Sequence, residues 1–253
     1  MLSDAARNPA MMETTFMPRQ FPALSLILLA TIALATPSAA QKKSVRPGIN
    51  KSFKNPNVKT FIGRFEKDGR EAYDRRREII KACKLKPGMA VADVGAGTGL
   101  FTRLFSDAVG PKGKVYAVDV AKNFLKHIDR TAKVEKRTNI TTILCDQQST
   151  NLPPNSVDVA FICDVYHHFE FPHKSMRSIH RALKPGGHVV LIDFHRIEGK
   201  SSKFILGHVR AGKNVFVTEV KRAGFRVVED RKDLLKENYF VRFVKVPDAT
   251  PAK

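Results

Sequence analysis

The stretch VADVGAGTG at positions 91–99 combines one carboxylate with three closely spaced glycines. Glycines at 95, 97 and 99 predict a tight turn with an open concave side, so that a ligand can lie against bare main chain. Asp93 precedes the turn and suits a cationic ligand, such as the amino group and sulfonium of S-adenosylmethionine (SAM), better than a pyrophosphate. The third glycine also comes one residue too early for the dinucleotide pattern G-x-G-x-x-G. The alternative is a glycine turn that only packs a helix on a strand.

Further carboxylates follow at the ends of the next predicted strands. Asp119 lies in VYAVDV at 115–120, twenty positions after Gly99, where an acid is placed to accept hydrogen bonds from ribose hydroxyls. Asp146 and Asp164 end the third and fourth strands. These acids together favour a nucleoside site over a turn that only packs.

Two adjacent histidines, His167 and His168, come directly after the fourth strand. Methyl transfer from a sulfonium needs an aligned nucleophile, and a general base only where the acceptor must be deprotonated. Histidine has a pKa in the suitable range. The alternative is that one of the pair packs against or caps the following helix.

The remaining candidate ligands are scattered. His173, His195 and His208 show no metal-ligand spacing, and the three cysteines include no C-x-x-C pair. We therefore expect no metal and no structural disulfide. Arg210 and Lys213, near His208, either bind an anionic acceptor or form solvated surface charge.

A repeated strand and helix pattern must position these residues. Apolar periodicity predicts a strand before the glycine turn and a helix after it, and the same alternation then continues. A charged helical pattern at 65–83 either covers the ligand pocket or packs on the sheet edge. Strands are predicted at 89–94, 114–120, 140–145, 157–163, 188–194, 225–229 and 239–246. Helices are predicted to start at 100, 121 and 214, with a further helical stripe at 176–183, and residues 195–213 are predicted irregular.

With these pieces in place, the chain resembles the class I SAM-dependent methyltransferases, in particular the group that includes the ubiquinone and menaquinone biosynthesis enzymes. The resemblance covers about residues 60–246. It implies an α/β fold: a Rossmann-like, doubly wound, seven-stranded sheet with an antiparallel C-terminal strand. The motifs that carry it are VADVGAGTG at 91–99, VYAVDV at 115–120, LCDQ at 144–147, DVAFICDVYHHF at 158–169 and LKPGGHVVLIDF at 183–194.

The resemblance also implies roles for individual residues. The cofactor-binding set has one group for the methionine part of SAM, one for ribose, one for adenine and one near the sulfonium. The catalytic candidates are His167, His168 and Tyr166. The methionine part of SAM is assigned to Asp93, Gly95, Ala96, Gly97 and Gly99, and the ribose to Asp119 and Val120. Adenine is assigned to Asp146 and Gln147, and the residues near the sulfonium are Cys163 and Asp164.

Composition bounds the remaining possibilities. A chain of 253 residues with 43% apolar residues accommodates one α/β domain, which we assign to 61–246, plus extensions. The formal charge of +20 indicates either an anionic partner or a solvated basic surface. The basic stretch 41–60 is predicted to be a linker, either a solvated tether or a contact to an anionic membrane surface. Residues 247–253 form a predicted tail.

The first forty residues look like a targeting segment. An apolar run at 23–35 is followed by small residues at 37–40, which predicts a signal peptide cleaved after Ala40 and an exported or periplasmic protein. The alternative is an uncleaved membrane anchor, with Lys42 and Lys43 on the cytosolic side.

The leading hypothesis is a SAM-dependent methyltransferase that acts on a small molecule or an envelope-associated acceptor. A nicotinamide-dependent oxidoreductase is disfavoured by the glycine spacing. A basic nucleic-acid or anionic-surface binding protein, or an RNA methyltransferase on the same fold, stays open because of the charge.

Overall fold

A computed structural model describes residue 41 and residues 43–247. The predicted leader, 1–40, and residues 248–253 lie outside the described residues. A seven-stranded sheet in the order β3-β2-β1-β4-β5-β7-β6 forms the centre. Only β7 runs antiparallel to its neighbours, so the predicted fold class is confirmed. The strands are β1 Ala90–Val94, β2 Lys114–Asp119, β3 Ile140–Leu144, β4 Val157–Cys163, β5 Leu183–Phe194, β6 Phe225–Asp230 and β7 Asn238–Lys245.

Helices cover both faces of this sheet. Two short 3₁₀ turns, at Lys51–Phe53 and Tyr166–His168, lie at the edge where the strands β1 to β4 end. No helix among the described residues is both long and apolar enough to cross a bilayer. The helices are α1 Val58–Phe65, α2 Glu71–Asp74, α3 Arg76–Ala82, α4 Leu100–Val109, α5 Lys122–Val134, α6 Pro172–Ala182, α7 Lys203–His208 and α8 Lys213–Arg222.

The core consists of two apolar layers, one on each face of the sheet. Because side chains alternate along a strand, Val91 packs into the layer with α3 and α4, whereas Ala92 packs into the layer with α6 and α8. In β4, Phe161 and Ile162 divide between the layers in the same way. Strands that are apolar on both faces are typical of a parallel sheet covered by helices, and they hold the strand ends in fixed positions.

The helix predicted at 65–83 is wrong in its first half. The chain forms a turn at 66–70, where Gly69 has a φ of +83° and its N–H donates to the Asp74 carboxylate. A left-handed residue interrupts a helix, so α2 and α3 start only after this turn.

The interpretation of 41–60 as a solvated tether is also wrong for the described residues. The Val45 N–H donates to Glu170 O at 2.9 Å, and Asn50 Nδ2 donates to Gln147 Oε1 at 2.9 Å. Helix α1 begins inside this stretch because Asn57 caps it, accepting from the Thr60 N–H at 3.1 Å. Contact with an anionic membrane surface stays a prediction.

Smaller differences concern element ends. Strand β5 begins at Leu183 rather than 188, because a register shift opposite Val157 and Val159 accommodates the KPGG turn. Helix α8 begins at Lys213 with Gly212 at its N-cap, not Asn214. Helix α7 lies in a stretch predicted irregular, and its N-cap Ser202 accepts from the Ile205 N–H.

Candidate active site

The glycine turn after β1 lines a cavity of about 520 Å³ at the carboxyl ends of β1 to β4. Gly95 has a φ of +76°, and a Cβ there would lie 2.5 Å from both methyl groups of Val165. A Cβ on Gly97 would lie 3.4 Å from the Phe65 ring. Both glycines, with Ala96 between them, therefore present bare main chain to the cavity, as predicted.

Gly99 has a different part in this turn. It does not line the cavity, and a Cβ there would lie 2.8 Å from Ile128 Cγ1 on α5. Gly99 therefore serves to pack the turn against helix α5, which was the alternative given for the glycines. Its assignment to cofactor binding is wrong, because Gly99 does not line the cavity. Close helix packing requires it.

Asp93 and Asp119 line the same cavity and are only 4% and 5% exposed. Asp93 accepts from Thr102 Oγ1 at 2.6 Å. Burial raises the pKa of Asp93 to about 7, although the Thr102 hydrogen bond opposes the shift. A cation would stabilise the ionised form of these two nearly dry carboxylates, and the sulfonium of SAM carries such a positive charge.

The Asp119 carboxylate also holds the main chain of the turn. Its Oδ2 accepts from the Gly97 N–H at 2.8 Å, and its Oδ1 accepts from the Ala121 N–H at 2.8 Å. Burial raises the pKa of Asp119 to about 6, against these hydrogen bonds. Each oxygen keeps a second lone pair for a ligand hydroxyl. Val120 beside it also lines the cavity.

The turn after β3 forms one end wall of the cavity. Asp146 Oδ1 accepts from the N–H groups of Gln148 and Ser149 at 2.7 and 2.8 Å, which orders the turn. Gln147 contacts Asn50 from the N-terminal segment. Asp146 and Gln147 both line the cavity, where the resemblance implies adenine.

Cys163 and Asp164 line the cavity at the end of β4. The Asp164 carboxylate accepts from Arg70 Nη2 and from Asn238 Nδ2, each at 2.6 Å. Burial raises the pKa of Asp164, and Arg70 opposes this. Burial also raises the pKa of the Cys163 thiol, which keeps it protonated. Asp164 thus connects two distant segments as well as lining the site.

Tyr166 does not line the cavity. Its side chain is fully buried in the core, with its ring 5.2 Å from the Phe169 ring and 5.0 Å from the Phe216 ring. The catalytic assignment of Tyr166 is therefore wrong, because no acceptor in the cavity can touch it. Its ring instead packs in the apolar layer beneath α8.

His167 lines the cavity and forms a pair with Asp193 of β5. Its Nδ1 lies 2.8 Å from Asp193 Oδ1, and its main-chain N–H donates to Asp193 Oδ2 at 3.1 Å. Asp193 is fully buried. The sequence analysis gave Asp193 no role, although it lies near the end of a strand adjacent to β4, a position like that of Asp146.

His168 lines the cavity beside His167 and meets a third ring from α7. Its Nδ1 lies 3.1 Å from Asn50 Oδ1, and its Nε2 lies 3.3 Å from His208 Nε2. Burial lowers the pKa of His168 to about 2 and also lowers the pKa of His208. We call His167, His168 and His208 the histidine cluster. His208, regarded as isolated in the sequence, belongs to it because α7 folds back over the cavity.

Helix α1 and the turn after it cover the glycine turn: such a cover was one of the two alternatives predicted for 65–83, whereas α1 itself was not predicted. Glu66 accepts from Thr98 Oγ1 and Arg103 Nη2, each at 2.6 Å. Arg70 reaches Asp164 from the same segment, and Phe65 lies over Gly97. A signal existed in the apolar spacing of α1, at Val58, Phe61, Ile62 and Phe65.

Arg210 and Lys213 do not line the cavity. Arg210 Nη1 donates to Glu219 at 2.9 Å, and its guanidinium lies 4.5 Å from the centre of the Phe216 ring. Lys213 Nζ lies 2.6 Å from Asp230 Oδ2. Neither is placed to bind an acceptor, so the structure contradicts that alternative.

Comparison with known proteins agrees with this geometry. Residues 92–191 match the family model of a methyltransferase domain. A ubiquinone/menaquinone biosynthesis C-methyltransferase, UbiE, from Burkholderia vietnamiensis is 30% identical over 118 residues, which is 47% of this chain and 48% of that protein. The chain thus spans about half the length of the curated relatives it matches.

Solved structures extend the likeness to most of the described chain. A SAM-dependent methyltransferase from Aquifex aeolicus has a TM-score of 0.66 and 25% identity, covering 76% of this chain and all of its own. One from Mesorhizobium loti has a TM-score of 0.54 at 18% identity, covering 70% and 99%. The family match over 92–191 and the Aquifex neighbour make the described residues similar to SAM-dependent methyltransferase domains, and they imply SAM as the cofactor.

Proposed function

We propose that this chain transfers a methyl group from SAM to a small-molecule acceptor bound in the same cavity. The observation that carries the proposal is one continuous cavity, lined at one end by two buried carboxylates and bare glycine main chain, and at the other by the histidine cluster. Its volume, about 520 Å³, lies in the range of small-molecule sites.

The cofactor end has the donor and acceptor set that SAM requires. The Asp93 carboxylate would face the cationic methionine part, and Asp119 would accept from the ribose hydroxyls. A Cβ on Gly95 would clash with Val165 and one on Gly97 would touch Phe65, so these positions bring main chain to the cavity wall. When bound, SAM supplies the methyl electrophile: the acceptor's electron pair forms the bond to the methyl carbon, and the electrons of the broken carbon–sulfur bond stay on sulfur.

The chain's own contribution to the reaction is alignment and exclusion of water. Phe65 and the 3₁₀ turn at Lys51–Phe53 cover the cavity from the N-terminal segment. Four aromatic rings line the acceptor end, which favours an acceptor that is small and at least partly apolar: Phe53, Phe169, Phe194 and Phe204.

His167 is the residue we assign as general base for an acceptor that must lose a proton. The Asp193 carboxylate accepts from Nδ1, so that the neutral ring keeps the lone pair on Nε2. The proton taken from the acceptor would charge the ring, and the buried Asp193 carboxylate would stabilise that charge. The UbiE relatives are named as C-methyltransferases of ubiquinone and menaquinone biosynthesis, which supports a small ring compound methylated at carbon as the first acceptor class to try.

The test combines cofactor binding with turnover. Calorimetry should give one binding site for SAM and for S-adenosylhomocysteine, and none for a nicotinamide dinucleotide. Release of S-adenosylhomocysteine is then followed with hydroxylated quinones, phenols and amines, using His167→Gln beside the surface variant His127→Gln. Turnover lost in the first variant and kept in the second supports the assignment; failure to bind SAM at millimolar concentration contradicts it.

We also infer export of the chain, on the apolar run at 23–35 and the small residues at 37–40. Gln41, the first residue after the expected cleavage, donates from Nε2 to Glu170 O at 3.0 Å. Gln41 thus contacts the domain at the position where cleavage would place the new N-terminus. Mass spectrometry of the mature protein tests this, with Gln41 expected at its start.

A further inference from the structure

Three imidazole rings from two distant segments meet at the acceptor end of the cavity. One ring nitrogen of each member of the histidine cluster lies within 4.8 Å of the other two. His167 and His168 come from the 3₁₀ turn after β4, and His208 comes from the end of α7. The sequence analysis expected no metal because the spacing joins no histidines, but the fold brings these three together.

The second contacts of the rings fix which nitrogens are free. Asn50 Nδ2 donates to Gln147 Oε1 and to His168 O, so Asn50 Oδ1 is an acceptor and the proton of His168 lies on Nδ1. In the same way, Asp193 Oδ1 accepts from Nδ1 of His167. Both rings therefore carry their lone pair on Nε2, the form in which imidazole binds a metal.

The contact between His168 and His208 joins two ring nitrogens directly. Their Nε2 atoms face each other at 3.3 Å, and the lone pair of His168 points at that contact. A neutral His208 can satisfy it only by donating from Nε2. A cation between the rings would bind both lone pairs and, in addition, the free nitrogen of His167.

The surroundings resemble the outer shell of a metal site. Metal-binding histidines commonly donate their second ring N–H to a carboxylate or a carbonyl, which orients the ring. Here a buried carboxylate, Asp193, and a side-chain amide, Asn50, hold two of the rings in this way. Phe204 stacks on His208 with 5.0 Å between ring centres. Arg46, which donates to Gly207 O, is a positive charge near the cluster, and the Asp193 charge offsets it.

We propose that His167, His168 and His208 bind a divalent first-row transition metal such as Zn²⁺ at the acceptor end of the cavity. Three neutral imidazoles leave at least one coordination position open, as in catalytic rather than structural zinc sites. The open position faces the cavity that the proposed methyl acceptor would occupy. The acceptor would then be a molecule with an oxygen that binds the metal, such as a phenol or enol, and the metal would promote loss of its proton in place of His167, whose Nε2 lone pair would be a ligand; this extension rests on the proposed methyl transfer.

The experiment measures metal binding and cofactor binding separately in the full chain without a polyhistidine tag. Chelator-treated protein is titrated with Zn²⁺ by calorimetry, and with Co²⁺ by visible absorption, which reports nitrogen ligation. The expected result is one Zn²⁺ per chain, with binding at least 100-fold weaker in His208→Ala and unchanged in His127→Ala, whose ring lies on α5. S-adenosylhomocysteine binding should be the same in all three proteins.

A second variant tests the outer shell. Asp193→Asn should keep the main-chain contact but weaken Zn²⁺ binding about 10- to 100-fold, and circular dichroism checks that the variant folds. The proposal is overturned if the wild type binds Zn²⁺ no more tightly than His208→Ala, or if His127→Ala loses binding equally. A wild-type chain that does not bind S-adenosylhomocysteine would contradict the proposed function. The Zn²⁺ titrations would still decide whether the metal site exists.

Discussion

The two ends of the cavity are built in different ways. The cofactor end uses Asp93, Gly95, Gly97 and Asp119, all within 27 consecutive residues and positioned by two adjacent strands. The acceptor end joins residues far apart in the chain; Asn50 and His168 are 118 positions apart. The first end follows from one strand–turn–helix unit, whereas the second requires the segment around the Lys51–Phe53 turn and helix α7 to meet the turn after β4. A common cofactor is thus recognised by a local motif, and the acceptor by long-range closure.

The two ends also differ in charge. Nearly dry carboxylates stand at the cofactor end and would attract a cation, while imidazole and phenyl rings form the acceptor end. The following predictions test this contrast, from the largest expected effect to the smallest.

The largest effect is expected at Asp119. Asp119→Asn removes the charge and one acceptor while keeping the size, so SAM should bind about 100-fold more weakly, or about 2.7 kcal/mol. Calorimetry measures the loss, and Asp129→Asn on the outer face of α5 is the matched control. Unchanged affinity in a folded Asp119→Asn protein would break the cofactor-end assignment.

The next effect concerns the contact between the ends of β1 and β4. Gly95 and Gly88 both have positive φ, but only at Gly95 would a Cβ meet side-chain atoms, those of Val165 at 2.5 Å. Gly88→Ala should cost about 1 kcal/mol from backbone strain, and Gly95→Ala about 2 kcal/mol more. Urea unfolding midpoints give the comparison. Equal losses would show that the clash with Val165 is relieved by movement.

A smaller, graded effect is expected from pH. Because the Asp93 pKa is raised to about 7, the folded chain without ligand keeps a proton between about pH 4 and pH 7 that the unfolded chain has released. Its stability therefore falls as pH rises through this window. SAM needs the ionised carboxylates, so its affinity should weaken about tenfold per unit between pH 7 and pH 6, and more steeply below pH 6, where Asp119 also takes up a proton.

Calorimetry at pH 5.5, 6.5 and 7.5 measures this slope. Asp93→Asn should bind more weakly at pH 7.5 and show a shallower slope, since only Asp119 still titrates. An equal slope in wild type and variant would remove Asp93 from the cationic contact.

The smallest effect is expected at the acceptor end. Asn50→Ala removes hydrogen bonds to Gln147 and His168, worth about 1 kcal/mol net, so amide exchange in residues 43–53 should rise about fivefold. SAM affinity should change far less than in Asp119→Asn. Asn55→Ala, which loses an exposed contact to Asn123, is the control. Equal exchange in the two variants would mean that Asn50 does not hold this segment down.

Much of the fold could be predicted because the central strands have a clear apolar pattern in the sequence. β1 and β4 are apolar on both faces, and the glycines mark where β1 ends. Charge and proline obscured the N-terminal segment: its lysines indicated a solvated linker, while Asn57 and Phe61 had the pattern of a capped, half-buried helix. The composition of this segment alone could not show that its helix would pack against α5 of the same domain.

The residues of the site likewise fall into those that local sequence predicts and those that it does not. Asp93 and Asp119 could be assigned from spacing, because their roles depend on one turn. Tyr166 was misassigned because a residue beside a strand end can point into the core as readily as into the cavity. Asp193 and His208 acquire their roles only from pairing with His167 and His168, which no sequence spacing records.

The most direct test is a crystal structure of the full chain with S-adenosylhomocysteine. The account predicts density in the cavity, with the ribose hydroxyls on Asp119 and the amino group beside Asp93, and with the sulfur facing the histidine cluster. A ligand bound elsewhere on the surface, or a cavity left empty at saturating concentration, would contradict it.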